Sequence, residues 1–286
     1  MSRKDIRFGA HIFLWIEHWD ASAAWLIDHA AELGLSCLEI AIGDDVVLSP
    51  AELRRRAART GIELILSPGA VWPVECDISS DDPAQRKRGV EWHRHWIRVA
   101  GECGAAAYTG GLYGHPGTAL RRRPPKDEFP RTAENLRRLA EEGDHVGVTL
   151  ALEPMSRFRT HIANTPEHVT RLITAADHKN LRVLFDTYHM VTEVRDYASA
   201  VKTLAPRLWG VHACESDRGV PGGGLIPWKG FLEALQQIEF SGYMLLESYN
   251  SSLGDFAFHR GLFRDLCPDG DAFVREGLRF IRQQLG

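Results

Sequence analysis

What the chain lacks narrows its class first. Five cysteines stand in 286 residues, at Cys37, Cys76, Cys103, Cys214 and Cys267, and no two form a CxxC pair. An odd, scattered set offers neither a disulfide framework nor a thiolate zinc site, and it suits a reducing, cytoplasmic compartment. Neither sign of charge is in large excess: 34 Lys and Arg against 38 Asp and Glu leave −4. Such a balance gives no general attraction to nucleic acid or to an anionic membrane. No apolar run approaches the length of a membrane span. The first one, after Met1-Ser2-Arg3-Lys4-Asp5, is interrupted by His11 and Glu17, which fits no secretory leader either. There is no GxGxxG after the first apolar run, no Walker-type loop, no GxSxG elbow and no Ser/Gly linker. The 44% of hydrophobic residues are enough to bury a core without disulfides or a structural metal.

What is present is an alternation. Short apolar runs occur at 6–13, 35–42, 62–66, 105–109, 146–152, 181–185, 208–211 and 243–246. Several are nearly continuous, as in Val183-Leu184-Phe185 and Met244-Leu245-Leu246, which is expected of parallel strands covered on both faces. Helical spacing fills the gaps near 21–33, 50–60, 83–103, 127–145, 165–177, 195–204, 228–238 and 270–285. In the last of these Phe273, Val274, Gly277, Leu278, Ile281 and Leu285 share one stripe. Ser49-Pro50 and Thr165-Pro166 read as an N-cap followed by proline in the first turn. Eight strand–helix units predict an α/β protein, a single-domain (β/α)8 TIM barrel over residues 1–286. A doubly wound open sheet is the alternative. Segments 110–126 and 248–269 are long connections, candidate pocket walls or subunit contacts.

The chemistry sits where polar residues close the late strands: Glu153, Asp186, His212 and Glu247. A lone acid at such a place commonly caps a helix, and a lone histidine commonly belongs to the core. Four on consecutive barrel strands converge on one mouth, where three carboxylates without a cation would repel one another at a cost of several kcal/mol. A divalent metal removes that cost. A donor set of oxygens with one imidazole favours Mn2+, Mg2+ or Co2+ over a structural zinc.

The segments Leu152-Glu153-Pro154-Met155-Ser156-Arg157-Phe158, Asp186-Thr187-Tyr188-His189-Met190, Val211-His212-Ala213-Cys214-Glu215-Ser216-Asp217-Arg218, Ile226-Pro227-Trp228 and Leu246-Glu247-Ser248 resemble the D-tagatose 3-epimerase (D-psicose epimerase) family of the xylose isomerase-like barrels. The resemblance is sharp over 148–285 and looser before. It implies that Glu153, Asp186, His212 and Glu247 bind the metal, Mn2+ first and Co2+ or Mg2+ as alternatives. It further implies that Glu153 and Glu247 are the acid/base pair, that His189 and Arg218 hold substrate oxygens near C1–C3, and that Glu215 supports them from behind. Trp15 and Trp19 resemble the family's pocket aromatics. Taken alone, His189 could equally cap a helix and Arg218 could equally be a solvated loop arginine.

Inverting C3 of a ketose needs a proton removed beside a carbonyl and one returned on the opposite face, so two bases flanking the carbon favour epimerisation over aldose–ketose isomerisation. Two positions depart from the family. Arg159 stands where the family usually carries a second glutamate that contacts the O1–O2 end of the substrate; the change leaves open an acidic or phosphorylated substrate or an arginine that points to solvent, and His11 replaces an aromatic residue. The expected partner is a sugar, not nucleic acid or membrane, and the resemblance implies a homodimer or homotetramer. The alternatives are an inosose dehydratase or hydroxypyruvate isomerase-like enzyme on the same barrel, an apurinic endonuclease, which would need several more histidine ligands, or a barrel that binds without catalysis. Arg54-Arg55-Arg56 reads as a solvated helix face, and Arg121-Arg122-Arg123-Pro124-Pro125-Lys126 as a solvated loop or a phosphate clamp.

Overall fold

Eight parallel strands close on themselves in chain order, so that β1 pairs with both β2 and β8. The computed structural model describes residues 6–117 and 119–286. The reading of residues 1–5 and the part of 110–126 that includes Thr118 lie outside the described residues. The strands are β1 (Arg7–His11), β2 (Cys37–Ala41), β3 (Glu63–Ser67), β4 (Ala107–Gly110), β5 (Thr149–Leu152), β6 (Leu181–Asp186), β7 (Leu208–Ala213) and β8 (Tyr243–Leu246). Every residue of β2, β4 and β8 is buried. That is the physical content of the continuous apolar runs: one face fills the barrel and the other meets the helices.

The helices are α1 (Trp25–Glu32), α2 (Pro50–Thr60), α3 (Pro83–Cys103), α4 (Glu128–Val146), α5 (Pro166–Ala176), α6 (Tyr197–Leu204), α7 (Trp228–Gln237), α8 (Phe256–His259) and α9 (Gly270–Leu285). Thr165 caps α5 by accepting from the His168 amide at 3.3 Å, whereas Ser49 makes no such bond before α2. The two longest helices, α3 and α4, each stop on a left-handed glycine, Gly104 (φ 71°) and Gly147 (φ 74°), a conformation a Cβ would disfavour. That stop corrects the expected strand at 146–152: Val146 still belongs to α4, and β5 begins at Thr149. The expected helix at 21–33 opens as a 3-10 turn (Ala21–Ala24) before α1, and the first apolar run leaves β1 at His11 for a 3-10 turn (Ile12–Leu14). The 248–269 connection contains α8. Among the described residues no helix is long and apolar enough to cross a membrane.

One buried group sets a pH dependence of stability. His93 on α3 is fully buried, with Nδ1 2.9 Å from the Tyr108 hydroxyl and Nε2 without a hydrogen bond within the described residues. Burial lowers its pKa from 6.5 to about 3. Between those values the unfolded chain binds a proton that the folded one refuses, so stability is complete above pH 6.5 and falls as the solution becomes more acidic. This one site should contribute a slope approaching ~1.4 kcal/mol per pH unit below pH 6. Urea titrations at pH 7, 6 and 5 should show a shallower loss in His93→Phe than in the parent; equal slopes would remove the assignment.

Candidate metal centre and active site

The carboxyl ends of β5–β8 build the site. Asp186 closes β6 and pairs in register with His212 on β7, while Ala213 pairs with Leu246, which puts Glu247 one step past the end of β8. Glu153 follows β5 and donates its amide to the Gly110 carbonyl at 2.9 Å, so the ladder holds it one residue beyond the strand. These registers bring one ligand atom from each of Glu153, Asp186, His212 and Glu247 within 4.8 Å of one another. All four are shielded from solvent, with exposures of 5, 0, 3 and 6% in that order. The quartet read from the strand ends is therefore assembled.

Within it, His212 Nδ1 faces three carboxylates: Glu153 Oε1 at 3.2 Å, Glu247 Oε2 at 3.2 Å and Asp186 Oδ2 at 3.8 Å. Its other nitrogen, Nε2, lies 2.7 Å from Glu39 Oε2. Burial disfavours the imidazolium, but Glu247, Glu39 and Glu153 hold its pKa well above the ordinary value. In chemical terms, a proton on Nδ1 fills a place that three oxygens and a nitrogen lone pair would otherwise offer to a cation. Glu39 then orients the ring by accepting from Nε2–H, the arrangement that supports a metal-bound histidine. Asp186 Oδ2 is buried and accepts no hydrogen bond within the described residues, although Arg218 Nη1 lies 2.8 Å away. The oxygen-rich donor set and its burial fit a divalent ion.

The two glutamates have unlike surroundings. Burial pushes the Glu153 carboxyl up to about 8; His212 opposes this, while Asp186 and Glu247 add to it. Burial acts on Glu247 in the same sense, but Arg218 and then His212 hold it down at about 2. Glu39 is also held at about 2, by His212 against the effect of its burial.

Arg218 Nη1 donates to Glu247 Oε2 at 2.6 Å, Nη2 lies 3.4 Å from His189 Nε2, and the guanidinium sits 4.4 Å over the Tyr188 ring. Its backbone is left-handed (φ 71°), a strained conformation for a residue with a side chain. The loop that imposes it is organised by Glu215, whose carboxylate accepts from the Gly222 amide at 2.9 Å and from Trp228 Nε1 at 2.6 Å, and by Ser248, whose hydroxyl donates to the Arg218 carbonyl at 2.7 Å. Glu215 thus supports the site without lining it. His189 is buried, and burial brings its pKa down to about 4. With Nε2 facing Arg218, Nδ1 is the protonated nitrogen, and it has no hydrogen bond within the described residues.

Above the quartet opens a cavity of about 780 Å³, counting its mouth, lined among others by His11, Glu39, His189, Arg218, Arg159 and Tyr249. That range suits a small ligand. His11 closes β1, accepts from the Phe13 amide at 3.2 Å, and is kept neutral by burial. Trp15 and Trp19 do not line the cavity, which corrects the expectation for them. The 3-10 turn after β1 sends Trp15 outward, where its indole donates to Asp271 on α9 at 2.8 Å, and Trp19 is packed in the core. Phe13, Trp72, Tyr188 and Tyr249 supply the aromatic wall instead. The basic stretches also stay outside it. Arg56 pairs with Glu52 and Asp28, Arg122 pairs with Asp81, and neither residues 54–56 nor 121–126 line the cavity.

Sequence reasoning passed over Glu39, Tyr249 and Arg260. Glu39 had a signal, a carboxylate between Leu38 and Ile40 in the middle of an apolar run. Arg260 had none, since it lies in the long connection after β8.

Comparison with known proteins places these features. The profile of the xylose isomerase-like TIM barrel family matches residues 27–284. The chain is 30% identical over 292 residues to the L-ribulose 3-epimerase of Methylomonas sp. strain DH-1, covering 98% of each protein. It is 28% identical to the D-psicose 3-epimerase of Ruminiclostridium cellulolyticum, covering 93% of this chain and 92% of that one. A solved L-ribulose 3-epimerase superposes with a TM-score of 0.91 at 29% identity, over 98% of this chain and 94% of the other.

Proposed function

The chain belongs to the ketose 3-epimerase family of xylose isomerase-like TIM barrels, and from that membership we propose that it inverts C3 of a keto sugar with Glu153 and Glu247 as its acid/base pair. The observation that carries the reading is the unlike setting of two buried glutamates in one quartet: Glu247 bonded to Arg218, Glu153 facing His212 and the other carboxylates. Epimerisation needs such a pair, because one group must take a proton from carbon while the other supplies one to the opposite face.

A divalent ion held by Glu153, Asp186, His212 and Glu247, Mn2+ first with Co2+ or Mg2+ as alternatives, would supply Lewis acidity that polarises the carbonyl and makes the neighbouring C–H more acidic. The chain's own groups do the rest. One glutamate withdraws the C3 proton and the other returns a proton from the far side. Arg218 and the unpartnered Nδ1–H of His189 donate to substrate oxygens and fix the sugar so that C3 lies between the carboxylates. Glu39 keeps the His212 ring in one orientation. Burial of the quartet excludes bulk water, which would scramble the returned proton.

Five free, buried cysteines support a reducing, cytoplasmic setting. Leu253, Phe258 and Phe263 remain exposed in the 248–269 segment and support an assembly of two or four copies through that region. Incubating the Mn2+-loaded protein with D-fructose, D-tagatose and L-ribulose, and resolving the products by chromatography and NMR, tests the reading. C3 epimers are expected from at least one ketose. Aldose products with exchange at C1 alone would point to an isomerase, and elimination of water to a lyase on the same barrel.

A further inference from the structure

The cavity holds more positive charge than its floor requires. Four carboxylates, Glu39, Glu153, Asp186 and Glu247, are offset to within one charge by Arg218 and a divalent ion. Arg159 and Arg260 lie outside that balance, and both line the cavity. Arg260, half-buried, donates to the Gly69 carbonyl and sits 4.8 Å from the Phe256 ring centre, but no carboxylate pairs with it within the described residues. Arg159 is also half-buried, and its guanidinium makes no hydrogen bond or ion pair within the described residues. Burial lowers its pKa, and the charges of Arg260 and Arg218 lower it further against the pull of Tyr249 and Glu153. Two arginines therefore face one cavity and repel each other while neither is ion-paired to an acid within the described residues. A protein tolerates that arrangement where a ligand supplies the missing anion, and a guanidinium fork is suited to a carboxylate or a phosphate.

Position sets the anion apart from the metal-binding floor. The quartet is almost wholly buried, whereas Arg159 and Arg260 are partly exposed and reach the cavity from the loops after β5 and β8. The resemblance puts position 159 beside the O1–O2 end of the sugar, and Arg260 lines the same cavity. We propose that Arg159 and Arg260 bind a negatively charged group of the substrate, so that the substrate is an anionic ketose, a keto sugar acid or a ketose phosphate. The inference rests on the epimerase reading for the substrate's being a ketose, but not for the presence of the anion site.

The test uses D-fructose, D-fructuronate, D-fructose 1-phosphate and D-fructose 6-phosphate, which differ only in the group carried at C1 or C6. Calorimetric binding to the Mn2+-loaded protein should be ~10- to 100-fold tighter for at least one of the anions than for D-fructose, the size of one desolvated charge-assisted bond. The ratio of kcat/KM for anion over neutral ketose should move likewise. Which anion wins separates a carboxylate from a phosphate site. Arg159→Met and Arg260→Met should each collapse the ratio toward one, Arg159→Lys should restore part of it, and Arg159→Glu should invert it. A ratio near one in the parent, or a high ratio that neither methionine variant lowers, overturns the proposal. C3 epimers from neutral ketoses would leave the epimerase reading standing in that event. Tight anion binding without C3 chemistry on any of the four ketoses would sustain the anion site and count against the epimerase reading.

Discussion

Glu153→Gln and Glu247→Gln should each lower kcat for C3 inversion by ~10³-fold or more, within the 10²- to 10⁴-fold range of positioned general acids and bases. Glutamine preserves the shape of the side chain and one carbonyl oxygen for a cation, but it can neither take a proton from carbon nor hold one for delivery. The two variants should differ in KM. Glu247 accepts from Arg218 at 2.6 Å, so its amide loosens a group that also holds substrate, whereas Glu153 pairs with no arginine within the described residues. A larger KM rise is expected for Glu247→Gln. Neither change should unfold the barrel: Glu247→Gln removes one negative charge from a crowded set of buried acidic groups, and Glu153→Gln puts an amide of the same shape where the carboxyl keeps its proton up to about pH 8. Steady-state kinetics on the ketose that responds best, with thermal melts as the control for folding, measure both effects. A loss under ten-fold in either variant would remove that glutamate from the chemistry.

Chelation has the second large effect. Dialysis against EDTA at pH 7.5 should reduce C3 inversion below detection, and adding Mn2+ should restore it. The pH dependence of that recovery follows from the protons the cation must displace. In the metal-free protein His212 keeps its proton well above the usual histidine range, and Glu153 keeps one up to about pH 8. Both groups bind a cation only when deprotonated. Fewer protons compete as pH rises, so the apparent affinity for Mn2+ should increase from pH 6 to pH 7.5, by as much as ~100-fold per unit where both protons are displaced. Titration calorimetry in buffers of different ionisation enthalpy counts those protons directly. Affinity that is flat over this window would mean that His212 and Glu153 are not both ligands. The bound ion should also raise the melting temperature, by mass action on the folded state.

The barrel was legible because its strands are covered on both faces, and such strands leave continuous apolar runs that need no alignment to see. The quartet was legible for a related reason. Asp186, Glu153, His212 and Glu247 each interrupt an apolar run where the strand ends, and four interruptions on consecutive strands acquire meaning only once the strands close into a ring. What escaped depended on local direction. Whether Phe13 or Trp15 faces the cavity is decided by a three-residue 3-10 turn, Ile12–Leu14, with no periodic signature. Glu39 sits mid-strand, where its carboxylate is explained by His212, 173 positions away, and by the Thr109 hydroxyl, 70 positions away. Arg260 reaches the cavity from a connection whose path no hydrophobic pattern dictates. Val146 fits a strand pattern because apolar residues serve equally in the last turn of a helix, and Gly147 is what divides the two.

The central claim is that two carboxylates address opposite faces of one carbon, and proton bookkeeping during a single turnover in D2O tests it most directly. With two separate donors, the C3 epimer should carry deuterium at C3 from the first turnover, while ketose recovered unreacted should carry almost none. Replacing Glu153 or Glu247 with glutamine should suppress labelling of the product in both cases. Deuterium appearing equally in product and recovered ketose, or a product that retains the original hydrogen at C3, would contradict the arrangement.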